Sequence, residues 1–178
     1  MSNSVENESL RKVQEVFQSK ETRQIIHQVF STNCFNNCWN FIDKGDLTDE
    51  ETEDMLLLSS ASLFHWKQRE DCQPMNLSVA YWQLGRVNCM AGNTEIARHY
   101  GNKVVCLSQE KGLSPFSMGY GYEVLLNVAI LESNSEDARK YLELARAELD
   151  KIEDKDELEL LKTDIDKLEA RLQDIIFE

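Results

Sequence analysis

Apolar residues recur along this chain at the three- and four-residue spacing of helices rather than the alternation of strands. From Ser9, Leu10, Val13, Val16 and Phe17 predict a short amphipathic helix. A second segment runs from about Glu21 to Asp43 with Ile25, Val29, Phe30, Cys38, Trp39 and Ile42 on its apolar side. The pattern leaves open whether these are one helix or two. Lys44-Gly45-Asp46 closes the segment, and Thr48 with Glu51 has the form of a capping box opening the next helix, which passes Met55, Leu58 and Ala61 to His65-Trp66. Asp71 to Pro74 ends it.

The clearest stretch is Ser78 to Leu107. Val79, Tyr81, Trp82, Leu84, Val87 and Met90 keep helical spacing, with Asn76 or Ser78 as the expected cap after Pro74. Gly92 supplies a helix C-terminus, Asn93 or Thr94 caps the following helix, and that helix continues to about Lys111. Gly85 and Ala97 lack bulk, so two helix backbones can approach there. A helical hairpin with a short connection follows. Ser114-Pro115 then opens a helix carrying Phe116, Tyr120, Leu125 and Val128, and Ser135 is expected to cap another with Ala138, Tyr141, Leu142 and Ala145.

Laying Ala138 over Ala97 aligns Tyr122 with Tyr81, Leu125 with Leu84, and Ser133-Asn134 with Gly92-Asn93. With Tyr81, Leu84-Gly85, Gly92-Asn93 and Ala97 as landmarks, the chain resembles tetratricopeptide-repeat proteins, with Asn88 and Gly101 standing where that motif takes large side chains. The resemblance implies an all-α fold: a right-handed stack of antiparallel helical hairpins (an α-solenoid) with a C-terminal capping helix. It divides one domain, 1–178, into divergent N-terminal helices (9–75), a best repeat (76–111), a second repeat (114–153) and the cap (156–177). The cap carries Leu158, Leu161, Ile165, Leu168, Leu172 and Ile175 as a heptad seam with charged outer faces. The same seam, with Ile175, Ile176 and Phe177 beside it, also fits self-association.

Charge narrows the partners. The formal net charge is −13, which disfavours nucleic acid and anionic membrane. Asp43 to Asp54 holds seven acidic residues against one lysine, whereas Met75 to Leu131 has three acids against Arg86, Arg98, Lys103 and Lys111. The centre is near neutral between acidic flanks. Five cysteines without a CxxC pair suit a reducing cytoplasm, and no leader-like run precedes Ser9. Cys34 and Cys38 lie one helical turn apart, but two ligands are too few for a structural zinc, so buried thiols are expected there. No metal or other cofactor is expected.

The resemblance also implies that first helices of successive hairpins line a concave groove. Trp82 and Arg86, four apart, share a face; Glu123 corresponds to Trp82, and Tyr120 lies one turn below it. An Arg86–Glu123 ion pair is expected, with His65 and Trp66 at one rim. These six residues form the candidate groove for a peptide or helix of a protein partner, in a chain expected to be a monomer or homodimer. Small acidic tetratricopeptide proteins of bacterial secretion systems share this size and charge, which offers a chaperone role as the alternative; a scaffold built through the last helix is a third. No nucleophile motif or phosphate loop is present, and a His65–Glu123 acid–base pair is the one enzymatic arrangement that can be drawn.

Overall fold

A computed structural model of the protein describes residues 2–177, with side chains described for 8 and 10–173. Among these residues there are eight α-helices and no strand: α1 (Ser2–Gln18), α2 (Lys20–Lys44), α3 (Asp49–Gln68), α4 (Pro74–Met90), α5 (Thr94–Lys111), α6 (Pro115–Leu131), α7 (Ser135–Leu149) and α8 (Lys155–Phe177). None of them is long and apolar enough to cross a membrane.

The N-terminal apolar run is two helices, and Ser19 divides them. Its hydroxyl accepts the N–H of Thr22 at 3.4 Å, and the Arg23 guanidinium donates to the carbonyls of Phe17 and Gln18 at 3.0 and 2.7 Å. Those carbonyls are the orphan acceptors of the α1 C-terminus. The Thr48–Glu51 capping box forms as its sequence suggests, with reciprocal bonds of 3.2 and 3.0 Å. Two caps differ from expectation. Pro74 is the first residue of α4 rather than the end of the preceding stretch, because its missing N–H costs nothing there. Asn134, not Ser135, caps α7: its Oδ1 accepts from the Asp137 N–H at 3.1 Å.

Helices pair as α2 with α3, α4 with α5 and α6 with α7, and each pair also touches the next. Helix α6 is central: it contacts α4 and α5 on one side and α7 and α8 on the other. The core follows this order as linked clusters. Cys38, Met55 and Val87 join the first pair to α4; Trp82, Ala97, Val104 and Val124 join the second pair to α6; Leu126, Ala138, Leu161 and Ile165 close the C-terminal end. The seam of α8 is consumed in that last cluster, where Leu161, Ile165, Leu168 and Leu172 are buried. The side chains of Ile175, Ile176 and Phe177 lie outside the described residues.

The two hairpin turns of α4–α5 and α6–α7 are copies of one another at a 41-residue offset. The Asn93 N–H donates to the Asn88 carbonyl at 2.8 Å and the Asn134 N–H to the Ala129 carbonyl at 2.9 Å. Gly92 has φ +74°, and its counterpart Ser133 adopts φ +55°, the sole positive φ outside glycine among the described residues. Asn88 and Gly101 each have a local role. Asn88 is buried and spans the turn, donating to the Leu84 carbonyl at 2.7 Å and accepting from Asn93 Nδ2 at 3.3 Å. At Gly101, a Cβ would come within 3.0 Å of Leu125 and Val124, so a large residue would push α5 off α6.

Left-handed backbone strains a serine and not a glycine. Ser133→Gly is therefore expected to raise unfolding free energy by roughly 0.5–1 kcal/mol, net of the extra freedom glycine brings to the unfolded chain. Gly92→Ser is expected to lower it by a similar amount. Urea unfolding followed by circular dichroism checks both.

Candidate functional site

The 41-residue offset puts one position in register on three helices: Trp82 on α4, Glu123 on α6 and Asp164 on α8. Trp82 and Glu123 meet directly, and Asp164 joins them through Arg86. The indole N–H of Trp82 donates to Glu123 Oε2 at 3.1 Å. One turn further along α4, Arg86 donates through Nη1 to Asp164 Oδ2 at 2.9 Å, and the Tyr120 hydroxyl reaches the same oxygen at 3.5 Å. Two carboxylates from α6 and α8 thus bracket one guanidinium from α4.

Aromatic rings flank this polar line. Trp82 lies 5.8 Å from Trp39 and 4.8 Å from Tyr120 by ring centroid, and Phe116 stands edge-on to Tyr120 at 4.9 Å. The Arg86 guanidinium carbon is 5.4 Å from the Trp82 ring centroid and 5.9 Å from that of Trp39, within range of a cation–π attraction. The row belongs to helices α2, α4 and α6.

A cavity opens on each side of the line. One, of about 270 Å³, has walls from Trp39, Val79, Trp82, Phe116, Tyr120 and Leu160 and is almost wholly apolar, the Ser78 and Ser117 hydroxyls being the polar exceptions. Its rim residues Met75, Val79 and Leu160 are exposed. The other, also about 270 Å³, is charged and is bordered by Arg86, Glu123, Asn127, Asp164, Lys167 and Arg171. Arg171 donates to Asn127 Oδ1 at 3.1 Å.

Burial sets the electrostatics. Glu123 is 3% exposed. Desolvation pushes its carboxyl up to about 7, against the pull of Arg86 and the Trp82 hydrogen bond and with a further push from Asp164. For Arg86, burial works against the charge, but Glu123 and Asp164 outweigh it and hold the guanidinium protonated. The Tyr120 hydroxyl is raised by burial first and then by Asp164 and Glu123, so it stays a neutral donor.

Of the six residues singled out from the sequence, the structure brings together Trp82, Arg86, Tyr120 and Glu123. His65 and Trp66 lie elsewhere. His65 Nδ1 is 2.8 Å from His27 Nδ1, and its ring stacks on Phe30 at 5.3 Å. Burial, then the neighbouring His27, holds its pKa below the usual histidine value. Trp66 packs near Leu63, Ala80 and Leu84, with the Arg69 guanidinium 3.9 Å over its ring. The expected Arg86–Glu123 pair is also rearranged. Each residue takes another hydrogen-bond partner, Asp164 and Trp82 respectively, although the two charges still attract.

Trp39 and Asp164 were absent from the sequence-derived set. Carrying the offset between Trp82 and Glu123 one step further reaches Asp164, so that residue had a signal. Trp39 had none beyond its place in an apolar stripe. Among the described residues no group of three His, Cys, Asp or Glu side chains comes together as metal ligands. Cys38 is a buried thiol whose pKa burial pushes up to about 12, and it lies 3.5 Å from the Met55 carbonyl.

No protein-family model, curated protein or solved structure matches the chain. The site's chemistry is therefore the available guide. It offers an aromatic-walled recess for an apolar side chain next to fixed charges on three helices.

A carboxyl raised from an unfolded value near 4.5 to about 7 leaves the folded state holding the proton while the unfolded state loses it. The contribution of Glu123 to stability is therefore full below the unfolded value and is lost as pH rises to about 7. Relative to wild type, Glu123→Gln is expected to gain on the order of 3 kcal/mol between pH 4.5 and 8. Chemical denaturation of both proteins across that range measures the difference.

Proposed function

We propose that the chain is a tetratricopeptide-like binding module that takes a helix or extended peptide of a protein partner. In this reading α2, α4, α6 and α8 are the first helices of successive units, stacked right-handedly and lining one concave side. The equal step from Pro74 to Pro115, the matching turns at Gly92 and Ser133, and the contacts of α6 with both α4 and α8 support it. The observation that carries the binding role is the apolar recess between Trp39, Trp82, Tyr120 and Phe116, open at a rim of exposed Met75, Val79 and Leu160. A concave apolar site with a few polar groups at its edge is the usual form of a recognition pocket. The partner's anchor is then a leucine, methionine or aromatic side chain.

Helix α8 serves as the cap in this account. The described part of its seam, Leu161 to Leu172, is buried against α6 and α7, which favours the cap over the scaffold alternative. A chaperone role uses the same recess and differs only in the partner. No reaction is proposed: Glu123 is buried against Trp82 and Arg86, while His65 keeps company with His27 and Phe30. A cytoplasmic site of action remains part of the proposal.

Selection from a displayed random-peptide library tests it. Wild type is expected to enrich sequences sharing an apolar anchor. Val79→Arg, at an exposed rim position that should not disturb folding, is expected to bind the selected peptides at least tenfold more weakly, about 1.4 kcal/mol. Absence of a shared anchor, or equal binding by the folded variant, would sink the reading.

A further inference from the structure

The N-terminal end leaves two apolar surfaces uncovered. On α1, Leu10, Val13, Val16 and Phe17 are each 50–60% exposed, a stripe about two turns long. The second surface lies on α2 and α3, where Phe30 and Phe64 are about half exposed. They belong to one face: Phe30 stacks on His65 and Phe64 stands edge-on to His27 at 6.3 Å. That face continues along α3 past Ala61 to Leu57, 60% exposed, where a shallow cavity opens against Phe41.

These surfaces cannot meet within one chain. Ser19 alone separates α1 from α2, and the junction is tied by the Ser19 N–H to the Val16 carbonyl at 3.2 Å as well as by Arg23. Folding one helix back antiparallel on the next takes a loop of about two to five residues. Yet a helix the length of α1 is marginal in water without an apolar face to lie on. Its stripe needs a surface, and the matching surface is on the same molecule but out of reach.

Charge selects the occupant. Residues 1–30 hold four acidic and four basic side chains, so the whole net charge of −13 falls on residues 31–178. Two copies repel over most of their surface; the α1 arm itself is neutral, and the receiving face is apolar from Phe64 to Leu57, meeting the acidic start of α3 at Asp54. Two-fold symmetry then makes both contacts at once, each α1 reaching the other copy's α2–α3 face. The exposed apolar side chains of arm and face supply roughly 600–800 Å² per copy, on the scale of a stable interface.

We propose that the chain forms a two-fold homodimer by exchange of α1, the stripe of one copy lying on the Phe30–Phe64 face of the other. Multi-angle light scattering of the full chain at tens of micromolar is expected to read twice the 20.6 kDa chain mass. Phe17→Glu and Phe64→Glu should each give the single-chain mass, with a circular dichroism signal that falls by no more than the share of an undocked α1. Mixing the two variants should restore a dimer, because an intact arm then meets an intact face once. Removal of residues 1–18 should match Phe17→Glu, which guards against a variant that fails for another reason. A wild type at single-chain mass overturns the proposal. So does a dimer that survives Phe17→Glu or Phe64→Glu, or a mixture that stays monomeric.

Discussion

A buried carboxylate has to be answered, and Glu123 is answered from both sides. Its oxygen accepts the Trp82 indole N–H, and the guanidinium of Arg86, itself anchored to Asp164, offsets part of the cost of burial. Burying a charge alone costs several kcal/mol, and a partner held at fixed geometry offsets part of that cost. That requirement ties α4, α6 and α8 at a single register. The aromatic row and both cavities are defined by where those helices then lie.

The same register is written in the turns. Gly92 and Ser133 take the same left-handed backbone, and the carbonyls of Asn88 and Ala129 receive equivalent N–H groups 41 residues apart. Close approach follows. A Cβ on Gly85 would come within 2.7 Å of Val124, so α4 can lie on α6 only because that position has no side chain. Small residues at the crossings and a buried polar line at the centre act together: the first allow the helices to approach, and the second selects the register.

Local features were legible in the sequence because local physics decides them. The helical hairpins, the Thr48–Glu51 box, the Ser114-Pro115 start and the 41-residue offset follow from spacing and caps. The break at Ser19 was open because both flanking runs share one apolar period, while the structure marks it by the Ser19 cap on Thr22 and by Arg23 reaching back to Phe17 and Gln18. Four of the six candidate site residues converge because they occupy equivalent faces of α4 and α6. His65 and Trp66 do not, since adjacency through a short loop says nothing of which way α3 turns its face. Asp164 displaced Glu123 as the hydrogen-bond partner of Arg86 because the docking of α8, 78 residues away in the chain, sets that choice. The two ends of the molecule also differ: α8 has spent its seam, while α1 keeps its stripe exposed.

A double-mutant cycle between Arg86 and Asp164 tests the register most directly. Arg86→Met, Asp164→Leu and the double variant would be compared with wild type by equilibrium unfolding at neutral pH. If α8 docks in step with α4 and α6, the pair should show a coupling of at least ~1 kcal/mol, the double variant being more stable than the sum of the singles predicts. Additivity within about 0.5 kcal/mol would mean that the two residues do not meet, and would contradict the shared register on which this account of the site depends.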